Sequence, residues 1–158
     1  MLSKKWVFSG IGVLLIGALA AAVYGNRAPA TPGFIDPADK ALVAQGKTVY
    51  ASACAACHGA ALEGQTNWRQ RLPNDRLPAP PHDETGHTWH HPDALLVDIV
   101  AHGLVPGRIA PEGYESDMPA FKDTLSDEEI VAVLAYIKSC SWPAKALSWQ
   151  KQVTLQQQ

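Results

Sequence analysis

The 158-residue sequence has few sulfur-containing residues: three cysteines and two methionines, one of which is the initiator. Charged residues make up only 18% of the chain, and the formal net charge is −2. This composition excludes a chain that is disordered throughout, and it gives no sign of a nucleic-acid-binding surface. The length allows one domain with a hydrophobic core and excludes a two-domain enzyme or a long repeat array.

Residues 1–25 have the pattern of a membrane anchor or a signal segment. Two lysines precede the uncharged run Trp6–Tyr24, which is long enough to cross a hydrocarbon core of ~30 Å at about 1.5 Å per residue. Because the lysines favour the cytoplasmic side, the rest of the chain is expected on the outer face of the membrane. Cleavage at Ala20–Ala22 is the alternative, and it would release a soluble exported domain.

Residues 26–35 are expected to form a linker, since they are rich in Pro, Ala and Gly and lack a helical period. Residues 36–158 form the predicted domain. Without the two lysines of residues 1–26, the chain keeps 11 basic and 15 acidic residues, a formal charge of −4. That charge favours a partner with a basic docking face over a polyanionic partner.

Four helices are predicted in the domain, and no segment alternates as a half-buried strand would. Each helix has a recognisable start or stop signal, such as a carboxylate N-cap, a proline in the first turn, a closing glycine or a capping box. The predictions are Pro37–Ala53 after an N-cap at Asp36, a helix between Pro92 and Gly103, Asp127–Ser139 with Ser126 and Glu129 as capping box, and Pro143–Gln152.

The 25-residue loop Asn67–His91 separates the first two helices and contains four prolines. Loops of this length without secondary structure are uncommon in compact domains. Four short helices would also bury little apolar surface by themselves. We therefore expect this loop to wrap around a large buried cofactor.

The segment Cys54-Ala55-Ala56-Cys57-His58 has the C-x-x-C-H pattern of covalent haem c attachment. Two thiols one helical turn apart can add to two vinyl groups, and the next histidine reaches the iron as proximal ligand. A redox C-x-x-C normally opens a helix after a strand, whereas this motif closes a helix. A zinc site would need a second pair of ligands, and a disulfide across two residues would be strained. The sequence therefore predicts one covalent haem c on Cys54 and Cys57, with His58 on the iron.

Met118 is the only internal methionine, and it follows His58 by 60 residues. It lies among polar residues on a loop, and Pro119 stiffens its backbone, which argues against a methionine that merely fills a gap in a core. We predict that Met118 is the distal iron ligand.

The chain resembles a class I c-type cytochrome of the bacterial, single-haem, membrane-anchored type. The matching residues occur in that family's order: Gly46, Tyr50, the C-x-x-C-H motif and Met118. The resemblance covers about residues 36–143. It implies an all-α class I cytochrome c fold, with short helices and long loops around one covalently bound haem. It also implies that Gly46 and Tyr50 lie where the first and last helices of that fold cross. Finally, it implies that a proline carbonyl accepts a hydrogen bond from His58; Pro80 is the best match, with Pro81 as the alternative.

A haem with histidine and methionine ligands has both axial positions filled, so we expect an electron carrier and not an enzyme. The iron would cycle between Fe(III) and Fe(II) at the bacterial inner membrane, with the haem domain in the periplasm. The expected donor is a quinol-oxidising complex or a dehydrogenase, and the expected acceptor is a terminal oxidase or reductase. Two alternatives are a haem-based ligand- or copper-responsive binding module and an electron-transfer subunit of a larger oxidoreductase. Neither nucleic acid nor a small-molecule substrate is expected to bind.

Three histidines, His87, His90 and His91, are close enough in sequence to suggest a copper or zinc site. The alternative is that His91 caps the second helix while the other two form hydrogen bonds within the loop or face solvent. One of the three is also an alternative axial ligand in place of Met118.

The long loop carries Arg69, Arg71 and Arg76 close together. We expect them to form a solvated face; the alternatives are that they line a docking edge or pair with haem propionates. Cys140, the third cysteine, is expected to be a buried inert thiol, and an intermolecular disulfide is the alternative.

Overall fold

The computed structural model describes residues 33–156, and within this range the chain is helical and contains no β-strand. The predicted all-α domain is thus confirmed for these residues. Its five α-helices are α1 Lys40–Val49, α2 Ala55–His58, α3 Asp93–His102, α4 Asp127–Ser141 and α5 Ala144–Gln156. A π-helical turn, Tyr50–Cys54, joins α1 to α2, and a short 3-10 helix, Thr88–His90, lies in the long loop.

The predicted membrane segment, residues 1–25, lies outside the described residues. Within residues 33–156, no helix combines the length and the apolar character that crossing a membrane requires.

The first helix begins later than predicted, because the N-cap is Asp39 and not Asp36. The Asp39 carboxylate accepts hydrogen bonds from the amides of Ala41 and Leu42 at 3.0 and 3.1 Å. Asp36 instead accepts from the amide of Ala38 at 2.9 Å and stabilises a turn ahead of the helix. Both aspartates have the composition of a cap, and only the one whose carboxylate reaches two free helical amides starts the helix.

The other helix boundaries lie close to the predictions. Helix α3 is bounded by Pro92 and Gly103, as expected. The capping box of α4 is present in both directions, since the Ser126 amide donates to Glu129 Oε2 at 2.8 Å and the Glu129 amide to Ser126 Oγ at 3.2 Å. Helix α4 extends two residues beyond its predicted end, and α5 begins one residue later and ends four residues later than predicted.

Helices α1 and α4 approach each other closely at Gly46. A Cβ atom on Gly46 would lie 1.9 Å from the backbone oxygen of Ala132, so no larger residue fits without moving a helix. One turn further along, Tyr50 is 1% exposed, and its ring centroid lies 5.4 Å from that of Tyr136. The crossing predicted for Gly46 and Tyr50 is therefore confirmed. The Tyr50 hydroxyl also donates to the carbonyl of Gly59 at 2.8 Å, which links the crossing to the end of α2.

A buried ion pair ties four parts of the chain together. Lys138 Nζ lies 2.5 Å from Asp93 Oδ1, and both side chains are completely buried. The ammonium group also donates to the carbonyl of Ile35 at 3.0 Å, and Asp93 Oδ2 accepts from the Ile35 amide at 2.7 Å. The Asp93 amide donates to Thr154 Oγ1 at 3.2 Å. The pair thus joins the segment before α1 to helices α3, α4 and α5.

We expect Lys138→Met to lower the free energy of unfolding by about 3–5 kcal/mol, because it leaves the Asp93 carboxylate buried without its cation. The double variant Lys138→Met, Asp93→Asn should lose less than the sum of the two single losses, since neither charge is then left alone. Urea unfolding measures all three, with exposed Lys145→Met as the control. Strictly additive losses would contradict a coupled pair.

The same lysine predicts a pH dependence. Burial lowers the pKa of Lys138 to about 8, and the attraction of Asp93 offsets only part of this effect. An unfolded lysine has a pKa of about 10.4, so between the two values the unfolded state binds more protons than the folded state. The stability of the wild type relative to Lys138→Met should therefore rise between pH 8 and pH 10. Urea unfolding across that range tests this, and a constant difference would argue against the lowered pKa.

Candidate functional site

The C-x-x-C-H motif lies where the first long helix ends. The π-helical turn carries Cys54, and α2 carries Cys57 and His58. The Ala55 amide donates to the carbonyl oxygen of Tyr50, five residues back, which widens the backbone at Cys54. Gly59, with φ of +82°, ends α2 immediately after the histidine. The motif closes a helix and leads into a loop, as the sequence predicted.

The first thiol of the motif, Cys54, does not have the properties of a redox nucleophile. None of the three cysteines in the chain forms a disulfide, Cys54 is half-buried and Cys57 is exposed. Burial raises the pKa of Cys54 to about 11, with a further contribution from Cys57. The Cys54 thiol is therefore neutral at neutral pH, whereas thiol–disulfide catalysis requires a thiolate.

His58 is held by one strong hydrogen bond. Its Nδ1 lies 2.9 Å from the carbonyl oxygen of Pro80, so Nδ1 donates and Nε2 keeps its lone pair. Of the two prolines considered, Pro80 is the one at hydrogen-bond distance. Burial lowers the pKa of His58, and the bond to Pro80 raises it by a smaller amount. The imidazole is thus neutral at neutral pH, the form that ligates a metal ion.

Two glycines give the Pro80 carbonyl its position. A Cβ atom on Gly64 would lie 2.4 Å from the Pro81 nitrogen and 2.6 Å from the Pro80 carbonyl carbon. A Cβ atom on Gly86 would lie 2.0 Å from the Pro81 carbonyl oxygen, which belongs to the next peptide along the chain. The Gly64 amide also donates to the carbonyl of His58 at 2.8 Å. Gly64 therefore contacts the peptide that accepts from His58, and Gly86 contacts the peptide that follows it.

The loop that carries Met118 is anchored on the C-terminal end of α3. The Phe121 and Lys122 amides donate to the carbonyl oxygens of Val100 and Ala101 at 3.1 and 3.0 Å. Met118 itself is half-buried, and its amide donates to Ser116 Oγ at 3.1 Å. These contacts hold the backbone of the loop without using the thioether, whose role as iron ligand stays a prediction.

Arg76 connects the long loop to the Met118 loop. Its guanidinium forms salt bridges with Asp117 and, at 3.2 Å, with Glu115. Exposed pairs of this kind contribute little stability singly, but one guanidinium bound to two carboxylates restricts both loops. The two segments that carry Pro80 and the candidate distal ligand are thus joined at the surface.

Comparison with known proteins places the chain in a family. Residues 41–137 match the family model described as cytochrome c oxidase, cbb3-type, subunit III. The matched region covers more than half of the chain and contains the C-x-x-C-H motif, Pro80 and Met118. The chain belongs to this family.

Membership in the cbb3 subunit III family implies haem-based electron transfer, with haem c as the cofactor. The cbb3-type cytochrome c oxidase subunit FixP of Azorhizobium caulinodans is 31% identical over 101 residues. The aligned region is 64% of this chain and 30% of FixP, so the chain spans less than a third of that relative's length. No solved structure matches significantly. The resemblance to a class I c-type cytochrome is confirmed by these comparisons.

The histidines of the long loop are engaged with aromatic neighbours in this cbb3 family member. His87 stacks on Trp68 with ring centroids 5.5 Å apart, and His90 stacks on Trp89 at 3.6 Å. His91 does not cap α3, because Pro92 is the N-cap residue and the His91 carbonyl accepts from Gln150 Nε2 at 2.8 Å. Across residues 33–156, no three side chains among His, Cys, Asp and Glu come together as a site for a metal ion.

The remaining arginines of the loop form contacts at the surface, and Arg71 also lies over the ring of Tyr114, 5.8 Å from its centroid. Arg69 lies over the ring of Trp68 and donates to the Thr85 carbonyl at 3.3 Å, and Arg71 pairs with Asp75 at 3.5 Å.

Cys140 is exposed at the end of α4, so the expected burial of this thiol is wrong. The physical reason is helix phase. Lys138 and Trp142 are four residues apart and both are buried. Cys140 lies midway between them in sequence, so it falls on the opposite, exposed face.

Sequence reasoning missed His82, which lies directly against the proximal histidine. The two rings have centroids 4.0 Å apart and planes inclined by 21°. Burial and the neighbouring His58 lower the pKa of His82 well below its usual value, so its ring is uncharged at neutral pH. The spacing of two residues after Pro80 was the available signal, because it places His82 on the same segment as the predicted acceptor.

We expect Gly64→Ala to lower the free energy of unfolding by about 1–3 kcal/mol, because the new methyl group displaces the Pro80–Pro81 peptide. Exchange of the His58 Nδ1 proton, followed by NMR, should become faster as its bond to Pro80 weakens. Gly113→Ala is the matched control: its φ of +73° resembles the +67° of Gly64, yet its Cβ would meet nothing within 4 Å. Equal losses in both variants would mean that backbone strain alone is responsible, and the account of a crowded peptide would be wrong.

Proposed function

We propose that this cbb3 subunit III family member is a single-haem electron carrier. In this proposal, Cys54 and Cys57 would hold haem c by two thioether bonds, and His58 and Met118 would bind its iron through nitrogen and sulfur. The observation that carries the proposal is the hydrogen bond from His58 Nδ1 to the Pro80 carbonyl. Because Nδ1 carries the proton, the lone pair of Nε2 can bind a metal ion, and His58 directly follows the two cysteines in sequence. The bound haem would supply reversible one-electron Fe(III)/Fe(II) chemistry.

Each residue of the proposed site has a distinct part in that chemistry. His58 presents a neutral imidazole, and its bond to Pro80 fixes the tautomer and raises the basicity of Nε2. Met118 offers a neutral thioether, which raises the reduction potential relative to a second imidazole. If both residues bound the iron, oxygen and small ligands would be excluded. This set of donors favours electron transfer over substrate chemistry.

We propose that the chain acts between membrane-associated redox partners. The match to cbb3-type oxidase subunits favours a terminal oxidase as acceptor, with a quinol-oxidising complex or a dehydrogenase as donor. The same match supports a role as the electron-transfer subunit of such an oxidase. The apolar run of residues 1–25 supports attachment to the bacterial inner membrane with the haem domain in the periplasm, or export as a soluble protein if the run is cleaved.

Partner choice can be tested with the reduced, haem-loaded chain and membranes containing a cbb3-type oxidase. Rapid oxidation that slows as salt increases would support an oxidase acceptor with a basic docking face, because the chain without residues 1–26 carries a charge of −4. Oxidation no faster than with membranes lacking the oxidase would exclude that acceptor.

We expect Met118→Ala to lower the reduction potential and to let the ferrous haem bind carbon monoxide, because the sixth position is then open. Met118→His is the matched variant: it should also lower the potential, yet keep the sixth position closed. A potentiometric titration followed by the visible spectrum, with carbon monoxide added to each reduced protein, measures both effects.

Two results would change the assignment. An unchanged potential in Met118→Ala would give the sixth position to another residue. Carbon monoxide binding by the wild-type ferrous protein would favour a ligand-responsive binding module over an electron carrier.

A further inference from the structure

We propose that His82 is a positioning residue that sets the plane of the His58 imidazole. The inference deepens the proposed function, because it assumes that His58 ligates the haem iron. It starts from the parallel stacking of the two rings, 4.0 Å between centroids and 21° between planes. His82 donates nothing to iron in this account; its effect on the haem passes through His58.

The hydrogen bond to Pro80 is not enough to hold the His58 ring in one plane. The torsion that rotates a histidine ring about its Cβ–Cγ bond is broad, and hydrogen-bond angles tolerate deviations of tens of degrees. A flat side chain against one face of the imidazole removes that freedom, since rotation of the ring would drive its edge into the neighbour. Pro80 thus sets the direction of Nδ1, and His82 sets the tilt of the ring.

His82 can do this because it is itself fixed at three points. Its amide donates to the Leu62 carbonyl at 2.8 Å, and its carbonyl accepts from Trp142 Nε1 at 2.9 Å. Its ring Nδ1 lies 2.9 Å from Thr88 Oγ1, which holds the ring plane. The edge of the Tyr50 ring meets it as well, with centroids 6.4 Å apart and planes at 72°. Through these contacts, His82 connects the His58 ring to Tyr50 at the α1–α4 crossing and to Trp142 at the end of α4.

The expected consequence is spectroscopic. The orientation of an axial imidazole plane governs how its orbitals overlap those of the iron, and ferric electron paramagnetic resonance (EPR) g values report that orientation. A single well-defined plane gives one set of g values, whereas a ring free to rotate gives a broadened or divided signal. Residues that orient a histidine ligand fix its ring and tune the metal, and their mutation typically costs about 10–100-fold in metal affinity or activity.

The test uses the full-length, haem-loaded chain and four variants. His82→Ala removes the stacked ring, His82→Phe keeps a flat ring without the bond to Thr88, and Thr88→Val keeps the histidine but releases its Nδ1. His90→Ala is the control, because His90 is an exposed histidine that stacks on Trp89 instead. The readouts are the ferric EPR g values and the exchange rate of the His58 Nδ1 proton in the ferrous protein.

We expect His82→Ala to shift or divide the g values and to accelerate Nδ1 exchange at least tenfold. His82→Phe and Thr88→Val both keep a flat ring on His58 and lose the bond to Thr88, so each should give one set of g values that is broader than in the wild type, with exchange slower than in His82→Ala; His90→Ala should match the wild type. Unchanged g values and exchange in His82→Ala would overturn the proposal. If that variant yields no haem-loaded protein, a wild-type signal in Thr88→Val would overturn it. A wild type without low-spin, histidine-ligated iron would instead refute the proposed function itself.

Discussion

The close contact between α1 and α4 at Gly46 is the constraint on which the candidate haem site depends. With only hydrogen on Gly46, the two backbones come into contact, and Tyr50, one turn further along, packs on Tyr136 of α4 and donates to Gly59 at the end of α2. That bond fixes the point where the C-x-x-C-H helix stops and the loop begins. A change at the crossing would therefore move both thiols and His58 together, although none of them touches Gly46.

The long loop after α2 has little regular secondary structure and is held instead by close backbone contacts. Gly64 contacts the Pro80–Pro81 peptide and Gly86 contacts the Pro81 carbonyl, while Arg76 binds two carboxylates of the Met118 loop. Such a loop has few apolar contacts with which to offset its conformational entropy, which is why its order depends on hydrogen bonds at specific carbonyl groups. In the proposed holoprotein, the loop would pack against the apolar surface of the haem. Next to His58, the loop already has one such packing contact, the ring of His82.

Much of the helical framework follows from local signals in the sequence. The capping box at Ser126, the stop at Gly103 and the C-x-x-C-H motif each act within a few residues, so the sequence alone predicts them. The sequence predicts the N-cap of α1 at Asp36 and not at Asp39, because two aspartates three residues apart offer the same chemistry and only tertiary geometry decides between them. The Lys138–Asp93 pair joins residues 45 positions apart. The hydrophobic periodicity of the sequence does not predict a long-range ion pair, and a lysine in a helix is ordinarily expected to be exposed.

The candidate site divides in the same way. The motif indicates the proximal histidine, and the resemblance to class I cytochromes indicates a proline acceptor; the distance to Pro80 then distinguishes it from Pro81. The sequence places His82 on the same segment as the proline acceptor, but the stacking of its ring on His58 depends on how a 25-residue loop turns back on α2. Family membership establishes haem-based electron transfer, and the arrangement around His58 supports a site built for one orientation of the axial imidazole.

The central claim is that this chain carries one haem c attached through both cysteines of the motif. Intact-mass and peptide mass spectrometry of the full chain, produced with a cytochrome c maturation system and treated with a thiol-alkylating reagent, tests it most directly. If the chain carries this haem, the peptide containing Cys54 and Cys57 gains one haem mass, and only Cys140 is alkylated. Alkylation of all three cysteines, without any haem mass on that peptide, would contradict it.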